Sequence, residues 1–239
     1  MERAVMAKVL SKEEWKKRKK LYAYLKLVVA AMLALLIVLI LLIGLIKVVK
    51  NLFSKGSPEA PVAPTMKQEL DITELFLTPN GYTRPQNPLK EVKGIVIHYV
   101  ANSGSSAVEN RNYYEGLKSN STSKTAESCH FIIDLDGSIV QCIPLDEIAC
   151  ASGARNEDTI AITFCHPQID GEPTAQTYDS LLKLTTYLCT KYGLTKEAVM
   201  RHSDLGDQSC PKYFDDQEGK WAAFLAELDT AVGKAEKKQ

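Results

Sequence analysis

Lys93–Val100 reads KGIVIHYV. It is a short apolar run rich in β-branched residues, opened by a glycine and carrying one histidine, His98, near its end. Such a run is the pattern of a strand buried on both faces, since the branched side chains suit a pleated surface and no polar alternation reserves a face for water. The residues around it extend the pattern. Ala107–Gly116 (AVENRNYYEG) reads as a helix closed by glycine. His130–Asp134 and Ser138–Ile143 read as two strands around Asp136-Gly137, a two-residue hairpin signal. Thr159–Cys165 is a further strand, and Thr177–Tyr192 has apolar residues at helical spacing up to Gly193. Val199–His202 is short and β-like, and Trp221–Val232 reads as a terminal amphipathic helix. Strands alternating with helices predict an α/β (α+β mixed) fold, a central mixed sheet flanked by helices.

The chain of 239 residues has a formal net charge of zero, and the balance is uneven. Residues 1–57 carry 12 Lys/Arg and 3 Asp/Glu, so the remainder is acidic by the same amount. A basic head and an acidic body suit a protein whose halves face different compartments. The acidic body argues against nucleic acid, whose phosphates it would repel. Leu27–Ile46 is a run of 20 residues without a charged side chain. As a helix it would reach roughly 30 Å, the thickness of a bilayer's hydrocarbon core. Lys16, Lys17, Arg18, Lys19, Lys20 and Lys26 precede it, against Lys47, Lys50 and Lys55 after it. That excess predicts a cell-membrane protein of one span, its N-terminus cytoplasmic and its C-terminal domain extracellular. No A-x-A cleavage pattern follows, so an uncleaved anchor is expected rather than a signal peptide. Gly56–Pro64 (GSPEAPVAP) then reads as a stiff tether. The expected organisation is a basic tail over 1–26, the span over 27–46, a linker and lead-in over 47–90, a globular domain over 91–233 and a polar tail over 234–239. The six cysteines all lie in the body without a CxxC pair, which argues against a dense disulfide framework.

His98, His202 and Cys210 are the candidate metal ligands. Zinc takes neutral imidazole and thiolate, and a catalytic zinc site leaves a fourth position open. Spacing alone leaves this reading open against a packed core histidine and an inert buried thiol.

Several stretches together carry a family resemblance: GIVIHY (Gly94–Tyr99), ENRNYYEGL (Glu109–Leu117), HFIIDLDGSIVQCIPLDEIA (His130–Ala149), DTIAITFCHP (Asp158–Pro167) and RHSDLGDQSCP (Arg201–Pro211). In order and with few gaps, they resemble the zinc-dependent, peptidoglycan-recognition-like N-acetylmuramoyl-L-alanine amidases. The resemblance implies that His98, His202 and Cys210 match the three metal ligands, that the cofactor is Zn2+, and that the substrate is peptidoglycan. The bond cut would be the amide between the lactyl group of N-acetylmuramic acid and the stem-peptide L-alanine.

The sequence departs from that family at two auxiliary positions. Thr163 stands where relatives usually carry a glutamate, and Gln208 where they tend to carry a lysine. A hydroxyl is no carboxylate base, and an amide donates a hydrogen bond without a positive charge. A third position, where some relatives carry a tyrosine, is Cys129. Glu127 and Asp207 are the nearest substitute bases along the chain. His130, Asn110 and Arg111, with Asn112, are candidate substrate-binding residues; a packed hairpin histidine and a solvated helix face are the plainer readings of the same residues. His166, before Pro167, reads as a turn residue. Two functions stay open: a membrane-anchored amidase, and a weakened or inactive peptidoglycan-binding relative acting as a scaffold.

Overall fold

The computed structural model describes residues 70–119, 126–206 and 208–237, with scattered positions between 15 and 32. The chain divides into two compact units, Met1–Val62 and Ala63–Gln239. The expected span Leu27–Ile46 lies, except for Leu27 and Met32, outside the described residues. Among the described residues no helix is long and apolar enough to cross a membrane. The sheet lies in the second unit.

The decisive run becomes β2, Gly94–Tyr99, buried along nearly its whole length. The other strands are β1 (Ile72–Glu74), β3 (Phe131–Ile133), β4 (Ile139–Gln141), β5 (Thr159–Phe164) and β6 (Val199–Arg201). They form one sheet in the order β1-β4-β3-β5-β2-β6. β2 runs parallel to both β5 and β6, and β3 runs parallel to β5. The β3–β4 hairpin is antiparallel, so the sheet is mixed, as expected. Gly137 turns the hairpin at φ 86, a left-handed conformation that suits glycine. A side chain there would also meet the backbone of Gln176.

Among the described residues of this unit the helices are α1 (Ala107–Leu117), α2 (Ala175–Tyr192), α3 (Lys212–Asp216) and α4 (Lys220–Glu236). Ser106 and Glu109 close a capping box at the start of α1, satisfying amide hydrogens that the first helical turn leaves without partners. α2 stops at Gly193, whose φ of 63 ends the helix in a left-handed cap.

The two faces of the sheet bury different side chains. Ile95, Ile97, Ile160, Ile162 and Phe164 pack with Leu181, Leu184 and Leu188 of α2 and Phe224 and Leu228 of α4. The alternate residues Val100, Ala161 and Cys165 pack with Ala107, Tyr114 and Leu117 of α1. Burying each large apolar side chain contributes about 1.5–3 kcal/mol. The period of two along β2 and β5 therefore turns His98 and Thr163 to the face that α1 covers.

β1 falls inside the stretch read as lead-in. Ile72 pairs with Ile139, and Leu77 and Leu89 are buried, so the folded body includes residues ahead of position 91. At the other end α4 continues to Glu236.

Candidate active site

His98, His202 and Cys210 converge from three elements. His98 lies near the end of β2, His202 opens a short 3₁₀ turn directly after β6, and Cys210 precedes α3. Because β6 is the parallel neighbour of β2, the chain leaving β6 is delivered beside His98. The two imidazole centroids are 4.5 Å apart. The return to Cys210 is tied down by Ser203 N–H donating to Cys210 O at 2.8 Å. Asp215 on α3 fastens the same loop. It accepts from Ser203 Oγ at 2.8 Å and Ser209 Oγ at 3.2 Å, and pairs with Arg201 at 3.0 Å. The sequence reading did not single out Asp215; its only sequence signal is its place five residues after Cys210.

One donor atom from each of the three side chains lies within 4.8 Å of the others. Bonds of about 2.0–2.3 Å put tetrahedral zinc donors about 3.3–3.7 Å apart, so inward shifts of at most about 1.5 Å would close the set. The protonation states suit it as well. Burial, then the neighbouring His202, pushes His98 down to about 3, and burial also lowers His202. Both rings are therefore neutral, the form that ligates. Burial pushes the Cys210 thiol up to about 11, opposed by the backbone N–H of Tyr99 directed at its sulfur. A dication at the site would reverse that preference, because thiolate is the ligating form. The donor set thus fits a zinc ion.

The three side chains open into a groove of about 800 Å³, whose wall includes Thr163, Gln208, Asn110, Tyr113, Tyr114 and Glu127. Thr163 is the register partner of His98 and is buried. The amide nitrogen of Gln208 lies 3.0 Å from His202 Nε2. Ser152 Oγ approaches His98 Nε2 at 3.3 Å.

Three candidates are placed differently. His130 is fully buried and absent from the groove wall: its Nδ1 accepts from Ala161 N–H and its Nε2 donates to Glu147 O, both at 3.0 Å. It is the packed hairpin histidine. Arg111 turns toward the lead-in, donating to Leu75 O and Phe76 O and pairing with Glu115. Asn110 lines the groove, but its amide donates to Ser105 Oγ and Ser106 O at the head of α1. His166 is buried behind Pro167 with its ring nitrogens against Val100 O and Gln168 O, a turn role as expected. Asp207 lies outside the described residues.

Residues 88–213 match the family described as N-acetylmuramoyl-L-alanine amidase, an interval that covers all three donor residues and the groove. The chain belongs to this amidase family. Two relatives come from bacilli. N-acetylmuramoyl-L-alanine amidase CwlL of Bacillus licheniformis is 28% identical over 174 residues, covering 68% of this chain and 48% of that protein. N-acetylmuramoyl-L-alanine amidase BlyA of Bacillus subtilis (strain 168) is 27% identical over 173 residues, covering 64% and 45%. The chain spans about half the length of the curated relatives it matches. Among solved structures, a mutant endolysin from Bacillus subtilis is 25% identical with a TM-score of 0.55, covering 66% of this chain and 97% of that one. The structure of PlyL, 23% identical with a TM-score of 0.56, covers 67% and 98% and shares the fold.

Proposed function

We propose that this chain is a zinc-dependent N-acetylmuramoyl-L-alanine amidase, held at the outer face of a cell membrane by one helix. It would hydrolyse the amide between N-acetylmuramic acid and the L-alanine of the stem peptide in peptidoglycan. The observation that carries the reading is the convergence of His98, His202 and Cys210 on one groove in a chain of this family. Those three residues would hold the zinc. Its contribution when bound is Lewis acidity, which acidifies water and polarises a carbonyl. The chain's own residues supply the rest. Neutral His98 and His202 leave their lone pairs for coordination. Gln208, next to His202, carries an amide that can donate to oxygen where negative charge develops during attack on the carbonyl. The polar wall of the groove suits a glycopeptide, with Tyr113 half-exposed for stacking against a sugar or peptide face.

The uncharged run Leu27–Ile46 and the Lys/Arg excess before it support the anchor and its orientation. A second reading, a peptidoglycan-binding scaffold with little or no turnover, is favoured by Thr163 and Gln208, neutral residues at positions where a base and a cation are expected. The two readings separate in one experiment. The full chain in detergent is incubated with defined muropeptides, with zinc and after chelation, and the products are analysed by mass spectrometry. Zinc-dependent release of a free L-alanine-terminated stem peptide supports the amidase; bound but uncut muropeptide supports the scaffold.

A further inference from the structure

We propose that Glu127 is the general base of the hydrolysis, the group that moves the proton now that Thr163 cannot. This rests on the amidase reading above. Cutting an amide with water requires an acceptor for the water proton and a donor to the departing amine. Glu127 is the one carboxylate on the groove wall among the described residues.

The other polar groups there are unsuited to the task. His98, His202 and Cys210 are the donor set. The Tyr114 hydroxyl is held well above its ordinary range by burial first and by neighbouring Cys129 and Glu127 next, with Thr163 opposing the rise only weakly. The charge of Glu127 holds the Tyr113 hydroxyl up as well. Burial raises the Cys150 thiol. Both tyrosines therefore stay protonated and serve as hydrogen-bond donors.

Glu127 is also held in place. Tyr113 Oη donates to Oε2 at 3.3 Å, and no other described side chain hydrogen-bonds the carboxylate. Its neighbour Ser128 is pinned to Cys150, which also lines the groove: Ser128 N–H donates to Cys150 O at 2.9 Å, and Cys150 N–H donates to Ser128 Oγ at 3.0 Å. A carboxylate oriented by a tyrosine, beside a backbone fixed by these two bonds, is the arrangement of an oriented base.

The step balances. Glu127 takes a proton from water as the water oxygen bonds to the scissile carbon and the carbonyl electron pair moves to its oxygen. When that pair returns, the carbon–nitrogen bond breaks. The proton held by Glu127 passes to the L-alanine nitrogen, leaving a carboxylic acid, an amine and the original carboxylate.

The test uses the full chain in detergent with zinc content verified, a defined muropeptide, and the variants Glu127→Gln, Glu127→Asp and Glu127→Ala. Glu127→Gln should lower kcat by about 10²-fold or more, with muropeptide affinity and zinc content unchanged. Glu127→Asp should keep more activity than Glu127→Gln. Sodium formate, a small carboxylate, should raise the rate of Glu127→Ala about tenfold and leave Glu127→Gln unmoved. A Glu127→Gln variant as fast as wild type overturns the proposal and leaves the amidase reading standing. Lost muropeptide binding without formate rescue overturns it in favour of a substrate contact. A wild type that never cuts, although loaded with zinc, overturns both.

Discussion

Thr163 stands beside His98 in register on adjacent parallel strands, buried and on the wall of the same groove. The strand position paired with His98 is thus occupied by a neutral hydroxyl. If proton transfer has moved to Glu127, a carboxylate restored at 163 should take the work back. In a Glu127→Gln background, Thr163→Glu is expected to raise kcat/KM by about tenfold or more. The two carboxylates act on one transition state, so their effects in the wild-type background need not add. Gln208→Lys, combined with Thr163→Glu, should add a charged oxyanion donor. Steady-state kinetics on one muropeptide, with zinc content measured in each variant, decides; a folded, zinc-loaded Thr163→Glu variant without any gain would count against this placement.

Asp215 holds the loop that brings His202 and Cys210 together, through Ser203, Ser209 and Arg201. Asp215→Asn keeps the shape but weakens these charge-assisted bonds. Zinc affinity should fall about 10–100-fold, by analogy with the loss of outer-shell partners. Competition against a fluorescent chelator measures it. Unchanged affinity would show that the loop is held by its backbone bond alone.

His130 links the body's stability to pH. Burial pushes it down to about 4, from 6.5 in an unfolded chain. The folded form therefore disfavours the proton, and below pH 6.5 the unfolded chain binds more protons than the folded one. The stability is present in full above pH 6.5 and is lost as pH falls toward 4, by about 3 kcal/mol in all. Protonation of Nδ1 would also break the bond from Ala161 N–H. Urea unfolding from pH 7.5 to 4.5 should show a steeper acid loss for wild type than for His130→Gln. Parallel curves would contradict the assignment.

The topology can be tested on intact, wall-stripped cells. Added protease should digest the body while a cytoplasmic control survives. A body protected alongside that control, with an external control digested, would contradict the anchor's direction.

Much of this molecule is legible in its sequence because the body's longer elements carry strong local signals. KGIVIHYV announces a buried strand, Asp136-Gly137 a hairpin, and Gly193 the end of α2. β1 was hidden because three residues with a single buried side chain, Ile72, make no periodic pattern. α3 was hidden because five residues fall short of a helical repeat. The three donor residues could be named from residue type and resemblance, but not their meeting, which depends on β6 pairing with β2 over a long separation in sequence. The wall of the groove was less legible. Arg111 looks like a surface-seeking side chain, yet it is drawn to the carbonyls of Leu75 and Phe76; of the two readings open for His130, the packed one holds, because two backbone groups in the core need partners. The facing of Glu127 toward Tyr113 depends on the same tertiary packing.

The most direct test of the central claim, that His98, His202 and Cys210 hold one zinc on which cutting depends, joins elemental analysis to product analysis on the same samples. Purified full chain should carry about one zinc, as a single three-ligand site requires, and should release L-alanine-terminated stem peptide from muropeptide. Chelation should abolish release and added zinc restore it, and the His202→Ala, Cys210→Ala double variant should lose both metal and activity. A double variant with its full zinc, or a wild type that cuts equally well after complete chelation, would contradict the account.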